Sequence, residues 1–233
     1  EDQKLFALFA ASDEATLKRN PLNALFRGDL RYADQFGDYV SQAYFDAERK
    51  AGESDLAALH AIDRNKLDAQ NKIAYDVFEW QTRTALDGLR PEILALTAVR
   101  PMNHFSGFQT FYPTFASGKG AAPFNTVMDY DNNLKRHAGY VAYLYAAIGR
   151  FREGLSSGVV ETRLTIANMI AQLDTLLAQK VEESPFYQPV LNFPKDMPAA
   201  DRTRLTKAYR DMIVTRINPA QRRLRDFLKK EYL

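Results

Sequence analysis

Thr162-Arg163-Leu164-Thr165-Ile166-Ala167-Asn168-Met169-Ile170-Ala171-Gln172-Leu173-Asp174-Thr175-Leu176-Leu177 is the stretch whose reading decides the fold class. Ile166, Met169, Ile170, Leu173, Leu176 and Leu177 recur at steps of three and four, which places them on one stripe of an α-helix and on both faces of a strand. A helix is therefore expected over 161–180. The same period runs through most of the chain. Helices are expected over 3–19, 41–63 (with Gly52 as a break or bend), 68–88, 125–155 and 200–232. Strand signals are nearly absent, because Val99 and Val159-Val160 are too short to build a sheet.

The breaks are as informative as the helices. Asn20-Pro21 should end the first helix, since the residue before a proline is driven from the α region, and a short irregular stretch should follow. Residues 28–38 are rich in Gly and Asp and read as a structured loop. Residues 89–123 hold Pro91, Pro101, Gly107, Pro113, Gly118, Gly120 and Pro123, with Phe105, Phe108, Phe111, Tyr112 and Phe115 between them. This long aromatic loop must set its rings against the rest of the chain or against a partner. Pro219 removes an amide donor and should kink or split the last helix near Asn218. The expectation is an all-α, irregular array of about 7–9 helices in one helical domain over 1–233.

Composition limits what such a domain does. The chain has 233 residues, 46% apolar and 26% charged, an ordinary globular balance with enough length for a large core. No apolar run reaches the roughly 18–20 residues of a membrane-spanning helix, so no transmembrane segment is expected. Glu1 opens the chain without an initiator Met or a basic-then-apolar leader, as a processed or trimmed chain would. Zero Cys excludes disulfides, thiolate nucleophiles and Cys-ligated zinc. Within a net charge of +2, residues 201–233 carry ten Lys/Arg against four Asp/Glu. An apolar stripe runs through that segment, so its basic residues read as a solvated helix face and not as a nucleic-acid surface.

A hydrolytic zinc site of the H-E-x-x-H kind needs two imidazoles one helical turn apart and a carboxylate beside them. Only His60, His104 and His137 are present, and none has another His three to five positions away. No catalytic or metal-ligating residue is assigned, and no cofactor is expected in this chain. His60 and His137 read as ordinary helix-surface or half-buried residues. His104, in Asn103-His104-Phe105-Ser106-Gly107, deserves more weight because binding residues concentrate in irregular loops. Tyr140, Tyr143, Tyr145 and Phe151 interleave with Arg150 and Arg152, but positions 140, 144, 148 and 151 form one stripe and read as core.

Four stretches together resemble the N-terminal part of the bacterial family known as domain of unknown function 885. They are Gly28-Asp29-Leu30-Arg31-Tyr32-Ala33-Asp34; Arg152-Glu153-Gly154-Leu155-Ser156-Ser157-Gly158-Val159-Val160 with Ile170-Ala171-Gln172-Leu173-Asp174; Glu183-Ser184-Pro185-Phe186-Tyr187; and Arg222-Arg223-Leu224-Arg225-Asp226-Phe227-Leu228 with Glu231-Tyr232-Leu233. The resemblance implies a helical, zinc-metallopeptidase-like hydrolase whose H-E-x-x-H helix lies in a C-terminal half beyond Leu233. It implies zinc for the complete protein, a peptide-like substrate, the C-terminal half as partner, and a periplasmic or cell-surface setting, secreted or as a lipoprotein. On that reading this chain is a non-catalytic wall or cap of the substrate cleft, with Arg31, Tyr32, Asn103 and His104 as cleft candidates. The alternative is a stand-alone helical binding or scaffold module without enzymatic activity. A gene that continues past Leu233 into H-E-x-x-H separates the first from the second.

Overall fold

Helices start where a side-chain oxygen can satisfy the free amides of a first turn. The computed structural model, which describes residues 1–233, has ten α-helices and no strand, and four of the helices start this way. They are α1 (Asp2–Arg19), α2 (Pro21–Phe26), α3 (Gln42–His60), α4 (Ala69–Gly88), α5 (Pro91–Thr97), α6 (Phe108–Thr114), α7 (Val127–Ser157), α8 (Arg163–Ala178), α9 (Ala199–Met212) and α10 (Asn218–Phe227). Ser41, Asp68 and Thr162 cap α3, α4 and α8 by accepting from the amides of Tyr44, Asn71 and Thr165. Thr126 and Asp129 close a reciprocal capping box on α7.

Helix α7 is the axis of the molecule. Tyr140, Leu144, Ile148 and Phe151 are all buried, as the stripe requires, and they share one core of 35 residues with Ile166, Met169 and Leu173 of α8 and with Leu224 and Phe227 of α10, which packs between α7 and α8. Each such side chain contributes about 1.5–3 kcal/mol through burial. A separate small core of Leu5, Leu59, Ile62, Leu67 and Tyr75 joins α1, α3 and α4 into an outer layer.

The loop before α3 is fastened across α7 by one ring. Phe36 lies 5.0–6.0 Å, centroid to centroid, from Tyr39, Phe108, Tyr112, Tyr140 and Tyr143. That approach requires Gly139, because a Cβ there would stand 2.4 Å from the Phe36 Cβ.

Several expectations are corrected. Pro21 ends α1 but also begins α2, and Pro91 begins α5, since a proline at the first helical position forfeits no hydrogen bond. The 89–123 segment is therefore not loop throughout but carries α5, α6 and a π-type turn over Phe115–Lys119. Gly52 does not break α3; Leu86 of α4 packs against it there. Pro219 does not split the last helix. The ladder widens to a π-type turn over Ile213–Ile217, which absorbs the missing donor, and the chain stays helical to Tyr232. Helix α4 turns Asn71 and Tyr75 inward, because Asn71 is held by Asp2 of α1, and leaves Ile73, Val77 and Trp80 exposed.

Candidate functional site

Half-exposed rings beside one core ring define an apolar groove. Phe26 at the end of α2, Phe111 in α6 and Phe115 after it lie 5.2–5.7 Å apart. With Phe105, Thr110, Thr114 and Gly120 they line a groove of about 430 Å³. Phe105 is 84% exposed on its rim. Together with the half-exposed Phe26 and Phe111 it makes a contiguous apolar patch, the kind of surface that marks a binding site.

The rim is held by a tight turn. Asn103 Oδ1 accepts from the amides of Phe105 (2.8 Å) and Ser106 (3.0 Å), and the Asn103 carbonyl accepts from Gln109 Nε2 at 2.7 Å. Gly107 is needed here, as a Cβ would stand 2.7 Å from that carbonyl and 1.9 Å from Gln109 Oε1. The carbonyl of His104 accepts from Gln172 Nε2 of α8 at 2.8 Å, and its ring lies 4.0 Å from that of Phe105. His104 Nδ1 and Gln109 Oε1 are buried without a partner. Asn103 and His104 thus sit directly behind the rim ring.

Arg31 and Tyr32 belong to a short 3-10 turn, Leu30–Tyr32, which they pin to α1. Arg31 donates to both oxygens of Glu14 (2.9 and 2.7 Å) and to Asp29 (2.6 Å), and Tyr32 Oη donates to Glu14 at 2.8 Å. The Arg31 and Tyr32 bonds hold the Glu14 carboxyl below its ordinary range, and the bond that Tyr32 donates to Glu14 in turn raises the phenol. No hydrogen bond or ring contact joins this pair to Asn103 and His104. Phe26, which does line the groove, was not among the sequence candidates.

His137 corrects the sequence reading most sharply, since it is fully buried. Arg136 Nη2 donates to Asn133 Oδ1 at 3.0 Å, which directs Asn133 Nδ2 toward Tyr209 Oη (2.9 Å) and His137 Nε2 (3.2 Å). Nε2 must accept, so the ring proton resides on Nδ1 and points to Tyr112 Oη at 3.1 Å. Tyr209 Oη donates onward to the Tyr130 carbonyl at 3.1 Å. Burial, and then the neighbouring Arg136 charge, push the His137 pKa down to about 3. Arg136 itself is 1% exposed and bonds the Ala33 carbonyl, with Nε unpartnered. This network ties α7 to α6, to α9 and to the 28–38 loop.

The basic terminal helix spends much of its charge in pairs: Arg204 with Asp131, Arg210 with Glu182, and Arg225 with Asp174 and Asp226. No group of three or more His, Asp or Glu side chains is placed to hold a metal ion. The chain's own residues offer no clustered donor set for zinc.

Residues 21–233 match the family model described as "Bacterial protein of unknown function (DUF885)". No curated protein matches the chain. A similar solved structure is that of "the putative lipoprotein from Colwellia psychrerythraea", with a TM-score of 0.77 and 13% identity, covering 99% of this chain and 41% of that one. The chain thus spans less than half the length of that protein, and at such identity the likeness concerns the fold.

Proposed function

From the premise that this chain belongs to the bacterial DUF885 family, we propose that it acts as the non-catalytic N-terminal region of a zinc-metallopeptidase-like hydrolase. It forms a wall or cap of the substrate cleft through the Phe26/Phe105/Phe111/Phe115 groove. The observation that carries this is the groove itself, whose apolar lining and 84% exposed Phe105 lack a cover within the 233 residues. Additional support comes from the similar structure, which has more than half of its own length outside the match. Zinc and the general base are assigned to polypeptide beyond Leu233. The peptide-like substrate is assigned to the cleft between the two parts, with Asn103 and His104 behind the rim and Arg31 and Tyr32 bracing an adjacent loop. An extracytoplasmic setting accompanies the proposal. It draws on the description of the similar structure as a lipoprotein.

Hydroxyl-radical footprinting of the 233-residue chain beside the polypeptide encoded by the whole gene tests the proposal. Phe26, Phe105 and Phe111 should oxidise readily in the shorter protein and be protected in the longer one. Equal labelling in both removes the wall reading.

The alternative, a stand-alone binding or scaffold module, is favoured by one observation: the 35-residue core is closed within this chain. That reading requires a gene that stops at Leu233 and a monodisperse monomer whose groove takes a separate partner.

A further inference from the structure

Away from the aromatic groove, a cavity of about 290 Å³ lies between α3, α5 and α7. Its floor is apolar, built from Pro91, Leu94, Ala95, Ala98 and Val99, and Gln42, Arg49, Arg150 and Glu153 supply the polar lining.

Both guanidinium groups are anchored by main-chain carbonyls. Arg150 Nε donates to Val40 O at 2.6 Å, and Arg49 Nη2 donates to Leu89 O at 2.8 Å. Each has one carboxylate as well: Glu153 lies 2.7 Å from Arg150 Nη1, and Asp46 lies 3.0 Å from Arg49 Nη1. Arg150 also stacks over Phe45 at 5.5 Å, and its side chain is only 13% exposed. Neither head can swing freely. Arg150 Nη2 and Arg49 Nε have no hydrogen-bond partner in the protein. Gln42 spends Nε2 on Asp46 at 3.0 Å, which leaves its Oε1 as an acceptor.

Glu153 and Asp46 offset the two guanidinium charges, and Asp38 also lies within the field of Arg150, so a bare inorganic anion gains little from the local charge. Directed donors beside an apolar floor favour a different guest. We propose that this cavity binds a carboxylate joined to a small aliphatic side chain and an amide N–H, the chemistry shared by the C-terminal residue of a peptide and by a free N-acyl amino acid. The carboxylate accepts from Arg150 Nη2 and Arg49 Nε, the amide donates to Gln42 Oε1, and the side chain covers Leu94, Ala98 and Val99. This site is independent of the cleft-wall reading.

Titration of the labelled protein with N-acetyl-leucine, followed by amide NMR, tests it. Resonances of residues 91–99 and 149–154 should shift saturably. N-acetyl-leucinamide, which lacks the carboxylate, and acetate, which lacks the side chain, should bind at least about tenfold more weakly. A short peptide ending in Leu that binds more tightly than N-acetyl-leucine marks a peptide end as the source; equal affinity marks the free acid. Arg150→Gln should weaken binding about tenfold or more. Because Arg150 also holds Val40, Ala98→Phe, which fills the floor and leaves both anchors intact, should abolish binding in a folded protein. No shift in those resonances, equal binding of the amide, or unchanged affinity in Ala98→Phe overturns the proposal.

Discussion

Lowering the pH should destabilise this protein through a single buried imidazole. In the unfolded chain His137 takes up a proton near its ordinary pKa of 6.5, whereas in the fold that pKa lies at about 3. Between those values the unfolded state binds one proton more, so stability is fully present above about pH 6.5 and falls as the pH drops. The slope is about 1.4 kcal/mol per pH unit, so about 2 kcal/mol is lost between about pH 7 and about pH 5. The full span from 6.5 to about 3 amounts to about 5 kcal/mol. Carboxylates held low by their partners, such as Glu79 beside His60 and Asp38 bonded to Ser41, act in the same direction. Their stabilisation is lost only as the pH falls below their own unfolded range near about 4 and toward the lower folded values. Urea unfolding followed by far-ultraviolet circular dichroism, across that window and on both wild type and His137→Gln, isolates the imidazole. The variant should be less stable near neutrality and have a slope shallower by one proton. Parallel slopes, or an imidazole NMR titration centred near pH 6, would refute the closed network described around His137.

Gly139→Ala should cost about 1–3 kcal/mol, read as a lower urea midpoint, because the new methyl group displaces the Phe36 ring that fastens the loop. Tyr209→Phe should cost about 1–3 kcal/mol in the same assay, since it strands an Asn133 N–H inside the core. Arg31→Ala should leave the midpoint within error, its head being exposed, while hydrogen exchange quickens in residues 28–34. Phe105→Ala in the complete protein should raise KM for a peptide more than it lowers kcat; an unchanged KM removes Phe105 from the cleft wall.

Much of the architecture was legible because α7, α8 and the terminal helix carry unbroken stripes, and a stripe at helical spacing has few other solutions. The errors share two physical causes. Proline is a stop for the helix before it and a start for the helix after it, so Pro21 and Pro91 concealed α2 and α5. Periodicity also shows which residues share a face without showing how much of it is covered, and in α4 Phe78 packs on the small core while Ile73, Val77 and Trp80 stay exposed. His137 was unreadable for a third reason. Its setting is made by Tyr112 and Tyr209, which lie 25 and 72 positions away, while its sequence neighbours Lys135 and Arg136 suggest a wet surface. Of the candidate site, the Asn103–Phe105 turn was visible as an irregular aromatic stretch; Phe26 arrives from a helix that the sequence hid.

The outward stripe of α4 has a spectroscopic consequence. Trp80, the sole tryptophan, is 67% exposed, so its indole emits from a hydrated setting in the native protein as it does in the denatured one. Emission at that wavelength is blind to the collapse of the tyrosine-rich interior. The same residue becomes a clean reporter for anything that settles on Ile73 and Val77, because a blue shift in this protein can have only one origin.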